Sequence, residues 1–368
     1  MLYKRSAAIV AVWESHGAAV RNYVTGGEAQ LTPGSLQVLD ALRTWQTVDD
    51  LATICDGLDR TQIASIVDAL ARAGVVQCTG RPEHPAETAL RDWGRWAPAA
   101  SLFHLATKDV RFADREVTRA LAGGRLLLEP PPVPNPCPPT IQLRTEKDRS
   151  QFSQVLRARR TWRRFGSRPI TLKELSTLLY LTWGTQAWIS PRDDLRFRLK
   201  TSPSGGACHC IDVHVVVRNV KGLDPGVYRY HDDDHGLHRV DAPWSAATMA
   251  AHLGGQHWVS GAGAVFLMTA DFSRVQWKYK FARAYRAVLI EAGHLCQTFC
   301  LVATRLKLAP FCTIALADTA IEQALGMDGV SQSVLYAAGV GARPRNAAWA
   351  PSPDRSDDPA YEPRSRRR

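Results

Sequence analysis

The feature that most constrains this chain is a proline-rich segment in its first half. Seven of the eleven residues 129–139 are proline. Because proline fixes φ and lacks a backbone N–H, such a run forms neither a helix interior nor a central strand. We therefore predict a stiff linker over residues 129–140 that divides the 368-residue chain. A hydrophobic content of 45% provides enough apolar side chains for a core on each side of it.

Before the linker, the spacing of apolar residues predicts three helices and a strand. The third helical stripe runs from Ile63 to Ala73 and ends at Gly74, after which Val75–Cys78 has the composition of a strand. Three helices with a β-ribbon predict a winged-helix-like domain over residues 1–83. Residues 84–128, which are rich in aromatic side chains, are predicted to form a helical connecting region.

The net charge of +11 suggests a nucleic-acid partner, but its distribution argues against one. Between residues 47 and 74, five aspartates face only Arg60 and Arg72. An acidic surface repels phosphate, so we predict a peptide- or protein-docking domain and no nucleic-acid binding. The four arginines of residues 364–368 belong to a segment, 351–368, that we predict to be a disordered basic tail.

After the linker, helices and strands alternate. Thr171 and Glu174 form a capping box at the start of a helix, Ile211–Val217 alternates as a strand, and residues 227–240 have the pattern of a hairpin. A long helix with a continuous apolar stripe is predicted over residues 280–308. We find neither a membrane-spanning run nor a secretory cleavage site, and expect a cytoplasmic protein without a membrane partner.

Five arginines within residues 157–164 form the densest basic cluster outside the tail. Such a cluster is either a solvated helix end or a phosphate pocket, in which arginine forks give two-point contacts and the Thr161 hydroxyl adds a donor. Ser202–Gly206 offers small residues that let the backbone approach a ligand, although turns without a ligand share this composition.

The eight cysteines are scattered, and two groups have the spacing of metal ligands. These are Cys208-His209-Cys210 and the pair Cys296 and Cys300. Neither has a second half-site nearby in the sequence, so we predict no metal and interpret the cysteines as reduced, mostly buried thiols.

Several motifs follow one another in a characteristic order. They are Arg159–Arg163, Pro203–Ala207, Gly222–Tyr230, Trp277–Lys280 and Glu291–Gln297. This series resembles the SagB-type dehydrogenases, nitroreductase-like, FMN-dependent azoline oxidases of ribosomal peptide biosynthesis. The N-terminal domain and the stretch from Trp93 to Asp109 are also similar to that family. Two positions depart from its pattern, because Lys280 and Lys307 stand where glycine is usual.

The resemblance implies an α+β fold, with a nitroreductase-like FMN domain over residues 141–350. It also implies an obligate homodimer, with the long helix at its centre. The resemblance assigns the FMN phosphate to Arg159, Arg160, Thr161 and Arg163. It assigns the flavin loop to Pro203, Ser204, Gly205 and Gly206. A further phosphate contact near the C-terminus would come from Gly341, Arg343 and Arg345. Which of the two C-terminal arginines makes that contact stays open.

Lys278 and Tyr279 match the lysine–tyrosine pair to which the family's catalysis is attributed. A lysine acts as a base near neutral pH only where burial or neighbouring arginines lower its pKa, and a tyrosine can relay the proton. The alternative is an ordinary solvated pair at the surface.

The function that the resemblance implies is dehydrogenation of thiazoline or oxazoline rings to thiazoles or oxazoles. The substrate would be a modified precursor peptide, and a cyclodehydratase would be a partner. Two alternatives remain: an FMN-dependent reductase of a dehydroamino acid, nitro or quinone compound, and a non-catalytic scaffold that recruits a peptide.

Overall fold

The computed structural model describes residues 1–15, 17–109, 141, 148–192 and 195–345. The chain forms two compact units. The N-terminal unit contains residues 1–108, 271–287 and 326–333, and the sheet unit contains the other described residues. Segments 271–287 and 326–333, which the sequence analysis placed in the FMN domain, thus group with the N-terminal residues. The predicted linker 129–140 and tail 351–368 lie outside the described residues, as do residues 110–128.

The N-terminal unit begins with strands and continues with the three predicted helices. Its elements up to residue 78 are β1 (Tyr3–Arg5), β2 (Ile9–Glu14), β3 (Gly17–Asn22), β4 (Glu28–Leu31), α1 (Pro33–Ala41), α2 (Val48–Ile54), α3 (Arg60–Arg72) and β5 (Val76–Cys78). Strands β2, β3 and β4 form an antiparallel sheet, and β1 pairs antiparallel with β5. One apolar core lies beneath the helices, with Val38, Leu51, Ile63 and Val67 fully buried.

Each of these three helices begins at a capping box. Thr32, Thr47 and Asp59 accept hydrogen bonds from the backbone three residues ahead, which satisfies an N–H group that the helix itself leaves unpaired. The five aspartates of residues 47–74 are exposed, and Arg60 and Arg72 each pair with one of them at 2.9 Å. The acidic surface predicted from the sequence is therefore present in the fold.

The rest of the N-terminal unit is helical. It contains α4 (Pro85–Leu90), a 3-10 helix over Arg91–Trp96, α5 (Ala99–Ala106) and α9 (Phe272–Lys278). The predicted helical region was 84–128, and its described part, residues 84–109, contains these helices. Trp93 and Trp96 are almost fully buried, and the Trp93 ring lies 5.0 Å from the ring of Phe272.

The sheet unit is built on one six-stranded sheet. Its helices are α6 (Gln151–Ala158), α7 (Leu172–Thr182), α8 (Ala246–His252), α10 (Tyr285–Arg305) and α11 (Asp318–Ala324), of which α10 has its first three residues in the N-terminal unit. Its strands are β6 (Ile170–Thr171), β7 (Ala187–Arg192), β8 (Leu195–Leu199), β9 (Ile211–Val217), β10 (Val220–Lys221), β11 (Gly226–His231), β12 (Gly236–Val240), β13 (Ala264–Asp271), β14 (Leu308–Thr313) and β15 (Gln332–Ala342). The order across the sheet is β12-β11-β9-β13-β15-β14.

Strand β13 runs through the centre of this unit and is buried on both faces. Val265 and Leu267 belong to the apolar cluster with Leu253 and Val259. Phe266 points to the opposite face, because side chains alternate along a strand, and its ring lies 4.8 Å from that of Phe299 on α10. This two-sided burial explains the uninterrupted apolar sequence of residues 264–268.

Helix α10 is shorter than predicted, and its apolar stripe faces the chain's own core. Val288, Phe299 and Ala303 are fully buried, so their apolar character is explained without a second subunit. The outward apolar residues are Leu289 and Ile290, which are 40% and 56% exposed. Residues Ala282–Arg305 are long and apolar enough to cross a membrane, but half of their most apolar window is buried within the protein, as in a core helix of a soluble protein.

The turn after α10 explains one departure from the family pattern. Lys307 has a φ of 57°, in the left-handed region that glycine enters at no steric cost. The backbone therefore keeps the conformation that a glycine at this position would favour. This turn directs the chain into β14.

We predict that Gly339→Ala destabilises the sheet unit. A Cβ at this position of β15 would lie 2.2 Å from Cε1 of the fully buried Phe311, so the core would have to shift, at a cost of about 1–3 kcal/mol. Chemical unfolding monitored by circular dichroism measures the change. Gly293→Ala is the matched control, since a Cβ at this site in α10 meets nothing within 4 Å, and we expect it to leave stability unchanged or to raise it. Equal unfolding midpoints for the two variants would contradict the packing argument.

Candidate active site

The arginine cluster lies on an extended segment that follows α6. The backbone N–H of Trp162 donates to the Pro310 carbonyl of β14 at 2.8 Å. The backbone N–H of Gly166 donates to the Ala342 carbonyl at the end of β15, also at 2.8 Å. These bonds fix the segment along the edge of the six-stranded sheet. Arginines 157, 164 and 168 are exposed, whereas residues 159, 160, 161 and 163 are half-buried. The four residues predicted for the phosphate are therefore those that the fold withdraws from solvent.

The half-buried arginines are held in defined positions. Nη1 of Arg160 donates to the carbonyls of Arg157 and Arg159 at 2.8 Å each. The guanidinium of Arg163 lies 5.6 Å from the centre of the Trp258 ring, within range of a cation–π contact. Positive charge is thus concentrated on a short, ordered segment, as recognition of a phosphate requires.

Trp162, within the same segment, carries a buried donor. Its indole Nε1–H is buried and has no hydrogen-bond acceptor among the residues that the structure describes. A buried donor without an acceptor is costly, and an oxygen-rich ligand or a water would satisfy it. Together with the neighbouring guanidinium groups, this donor shows that the segment fits an anionic, oxygen-bearing group such as the FMN phosphate.

The two C-terminal arginines differ in their surroundings. Arg343 donates from Nε to the Leu308 carbonyl at 2.9 Å, and its guanidinium lies 5.3 Å from the centre of the Trp162 ring. Burial lowers the pKa of Arg343. Arg345, by contrast, is exposed. Arg343 is therefore already bonded to the protein backbone beside the phosphate segment.

Gly341 has a packing role in this structure. A Cβ on Gly341 would lie 2.7 Å from Cδ1 of Phe165, the residue that follows the arginine segment. The aromatic ring thus occupies the space that a side chain would need. Gly341 was predicted as a cofactor contact, and here its lack of a side chain lets Phe165 pack against β15.

The predicted flavin loop, residues 202–206, is held against helix α10 by three bonds. The hydroxyls of Ser202 and Thr298 lie 2.6 Å apart, Nδ1 of His294 donates to the Pro203 carbonyl at 3.1 Å, and Ser204 donates to the Glu291 carboxylate. Thr298, His294 and Glu291 are one turn apart on a single helix face, which is why they meet the loop together. The contact to Pro203 identifies His294, to which the sequence assigns no role, as a support of the loop.

Glu291 is the central residue of this support. It is 4% exposed, and its Oε1 accepts a hydrogen bond from the Ile211 N–H at the start of β9, at 3.3 Å. Burial raises the pKa of this carboxyl group, whereas the bond from Ser204 acts in the opposite direction. The Ser204 hydroxyl also accepts from the His209 N–H at 2.9 Å. Ser204 therefore fixes the loop through its side chain.

The surface that the loop presents is formed by its backbone and its smallest residues. Pro203 and Gly205 are exposed, and Gly206 has a φ of 66°, the left-handed conformation that favours glycine. Backbone groups are thus accessible to a planar ligand at close range. This arrangement agrees with the predicted role of residues 203–206 beside a flavin ring.

A buried ion pair beneath the loop was not anticipated from the sequence. Lys200 Nζ lies 2.6 Å from Oδ2 of Asp232, and Nη1 of Arg198 lies 2.8 Å from the same oxygen. The Lys200 side chain is only 6% exposed, and its burial lowers the pKa of the amine, while Asp232 opposes that shift. Because Asp232 lies in the β11–β12 turn, far along the chain, no local pattern indicates this pair.

Lys278 and Tyr279 belong to the N-terminal unit, at the end of α9. Lys278 is the last helical residue and is exposed, and its Nζ lies 5.8 Å from the centre of the Tyr279 ring. The Tyr279 carbonyl accepts a hydrogen bond from Nε1 of Trp96 at 2.8 Å. The pair thus sits on a backbone fixed by a buried tryptophan. Among the residues that the structure describes, none supplies the burial of Lys278 that a lysine base requires.

Trp93 in turn stacks on His104, with the two ring centres 5.6 Å apart. Nε2 of His104 bonds to the Gly329 carbonyl at 3.0 Å, which only accepts, so this nitrogen carries the proton. Its Nδ1 then accepts from the Tyr285 hydroxyl at 2.9 Å. Burial lowers the pKa of His104 to about 4, so the ring is neutral at pH 7. The conspicuous Trp93–His104 stretch therefore has a structural role, as a buried aromatic cluster.

Comparison with known sequences defines the class of protein. Residues 156–342, about half of the chain, match the nitroreductase family, and the protein belongs to that family. The matched region contains the arginine segment, the flavin loop and helix α10. Membership confirms FMN as the cofactor and supports an FMN-dependent oxidoreductase.

The chain is similar to several individual proteins. A Methanocaldococcus jannaschii protein named as a nitroreductase is 32% identical over 175 residues, covering 48% of this chain and 84% of that protein. The trifolitoxin-processing protein TfxB of Rhizobium leguminosarum bv. trifolii is 29% identical over 142 residues, which cover 38% of each chain. A Desulfovibrio desulfuricans protein, described as a nitroreductase in complex with FMN, has 18% identity and a TM-score of 0.38, covering 59% of this chain and 99% of that chain.

We predict that Arg159→Ala weakens FMN binding. Loss of a charge-assisted hydrogen bond to a phosphate costs about 1.5–3 kcal/mol, which corresponds to roughly ten- to hundredfold in affinity. Titration of apoprotein with FMN, followed by flavin fluorescence, measures this change. Arg168→Ala is the control, because Arg168 is exposed and pairs with Glu174 at 3.0 Å. Equal FMN affinities for the two variants would remove Arg159 from the phosphate site.

We predict that Glu291→Ala and Glu291→Gln differ in stability. Alanine removes two bonds at a buried site, at a cost of about 2 kcal/mol. Glutamine keeps an oxygen that accepts from the Ile211 N–H, and its amide NH2 can donate to the Ser204 hydroxyl, so both contacts survive with one bond reversed. Because burial raises the Glu291 pKa, ionised Glu291 opposes folding once the pH exceeds its folded-state pKa. Thermal unfolding should then show Glu291→Gln to be at least as stable as the wild type at pH 8, with the difference shrinking towards pH 5. A wild-type midpoint for Glu291→Ala at both pH values would contradict the support role.

Proposed function

We propose that this protein is an FMN-dependent dehydrogenase that converts thiazoline or oxazoline rings of a modified precursor peptide to thiazoles or oxazoles. The observation that carries the proposal is the similarity to TfxB, a protein named for processing a peptide, within a chain that belongs to a flavin-dependent family. The ordered series of SagB-type motifs in the sequence supports the same substrate class.

FMN would be held by residues of the sheet unit. Arg159, Thr161 and Arg163 would bind its phosphate, and Arg160, whose Nη1 is bonded to two carbonyls, would shape the segment. The backbone of residues 203–206 would lie beside the ring system. Since Arg343 already bonds to the Leu308 carbonyl, the exposed Arg345 is the better candidate for the second phosphate contact.

The reaction removes two hydrogens from the heterocycle, one as a proton and one as a hydride. Bound FMN supplies a two-electron acceptor for such chemistry. Lys278 would take the proton and Tyr279 would orient or relay it. Lys278 is exposed in the described part of the chain, and the bound substrate or a second subunit would supply the desolvation that makes a lysine a useful base.

The N-terminal unit would act as a winged-helix-like docking domain. Its exposed aspartates favour a positively charged peptide segment, and the exposed Leu36 and Ile54, which are 54% and 50% accessible, offer apolar contacts. A homodimer would cover Leu289 and Ile290 of α10. A cyclodehydratase would supply the azoline substrate, and the whole assembly would be cytoplasmic.

The test is mass spectrometry of the azoline-containing peptide after incubation with the flavin-loaded protein. Oxidation removes two hydrogens from each ring, a loss of about 2 Da. The double variant Lys278→Ala, Tyr279→Phe should keep FMN and lose turnover, because it lacks both proton-handling groups. Lys221→Ala, which alters an exposed lysine on β10, is the control and should retain activity.

The other outcomes separate the alternatives. In a parallel reaction in which the flavin is first reduced with dithionite, a gain of about 2 Da would show reduction instead, the activity favoured by the similarity to the archaeal protein named as a nitroreductase. Full oxidation by the double variant would remove Lys278 and Tyr279 from the mechanism. A protein that binds peptide but takes up no FMN would be the non-catalytic scaffold.

A further inference from the structure

The fold of the sheet unit brings together three cysteines that are not neighbours in the sequence. Cys296 and Cys300 are one turn apart on α10, and Cys312 lies on β14. Their sulfur atoms all lie within 4.8 Å of one another. Cys296 and Cys300 are each 4% exposed, and Cys312 is half-buried. The sequence predicts no metal here because no second half-site follows Cys296 and Cys300, but Cys312 supplies the missing ligand in space.

The turn at Lys307 explains this convergence. It reverses the chain after α10 so that β14 returns alongside the helix, where Cys312 meets the face that carries the other two cysteines. Strand β14 pairs with β15, with Cys312 opposite Ala338. Tyr336, two residues before Ala338, therefore projects from the same face of the sheet. Its hydroxyl contacts the thiols of Cys296 and Cys312, which completes a group of three sulfur atoms and one oxygen.

We propose that Cys296, Cys300 and Cys312 form a binding site for a thiophilic divalent metal ion, with zinc as the test ion. In a tetrahedral zinc site, a Zn–S length of about 2.3 Å places the sulfur atoms about 3.8 Å apart. The separations in the structure accommodate that geometry with little movement. The fourth position would be taken by the Tyr336 hydroxyl or by a water, and the half-buried Cys312 provides the entry side.

The electrostatics of the cluster suit a metal–thiolate centre. A divalent ion with three thiolates carries one negative charge, and Arg159 is close enough to Cys312 to offset it. A bound divalent ion would displace the protons of all three thiols, because thiolate is the form of cysteine that ligates metal. The cluster is distinct in its residues from the predicted FMN contacts, so its occupancy can be measured independently of the proposed reaction.

The first experiment measures bound metal. Full-length, flavin-loaded protein is stripped with a chelator, incubated with zinc chloride and dialysed, and its zinc content is measured by inductively coupled plasma mass spectrometry, since flavin absorbance hides the visible bands of cobalt. We expect about one zinc per chain. Cys296→Ser and Cys312→Ser should each weaken zinc binding by more than about a hundredfold, the upper limit for loss of a mere outer-shell partner. Cys55→Ser, at a cysteine buried in the N-terminal unit, is the control and should keep its zinc.

A second measurement on unaltered protein covers variants that fail to fold. Bound zinc should protect Cys296, Cys300 and Cys312 from alkylation, as mapped by peptide mass spectrometry, while the reactivity of Cys55 and Cys208 should not change with zinc. Wild-type protein that retains no zinc, equal zinc retention by Cys312→Ser and Cys55→Ser, or a disulfide within the cluster of the purified protein would each overturn the proposal.

Discussion

The arrangement of the candidate cofactor site depends on one buried carboxylate. Glu291 joins the flavin loop to the start of β9 and to helix α10, through Ser204 and the Ile211 N–H. A carboxylate that is 4% exposed costs free energy to bury, and it is retained because its oxygens satisfy donors that would otherwise be unpaired. The rest of the loop is held in the same way, because Thr298 and His294 lie on the same helix face and bond to Ser202 and Pro203.

The second constraint is the position of the arginine segment at the edge of the sheet. Two backbone bonds, to Pro310 and Ala342, fix which side chains turn towards the protein and which towards solvent. Part of the excess positive charge of the chain is therefore concentrated in one half-buried segment. Its half-buried arginines flank Trp162 in the sequence, and the buried indole N–H of Trp162 has no acceptor among the described residues, whereas the helices of the N-terminal unit expose aspartates. The basic character of this protein thus agrees with a phosphate-bearing cofactor, as membership of the nitroreductase family confirms.

Much of the fold could be predicted from local signals. The capping box at Thr171, the alternation of residues 211–217 and the apolar run of 264–268 all correspond to observed elements, because caps, strand alternation and two-sided burial leave patterns within a few residues. The division into two units could not be predicted from the sequence in full. Residues 271–287 group with the N-terminal segment, and no composition change marks that passage. The apolar stripe of α10 was likewise open to two interpretations, and the packing of Phe299 against Phe266 shows that it belongs to the chain's own core.

The sequence by itself determined the cofactor class and the family, because motifs for binding FMN are short, contiguous and ordered along the chain. Tertiary structure decided which side chains are available to a ligand and which stabilise the fold. It assigned Ser204 and Gly341 to support and packing, paired Lys200 with Asp232, and brought Cys312 to Cys296 and Cys300. The physical reason is the same in each case. Such contacts join residues distant in sequence, and their energy depends on burial and distance, which no local pattern records.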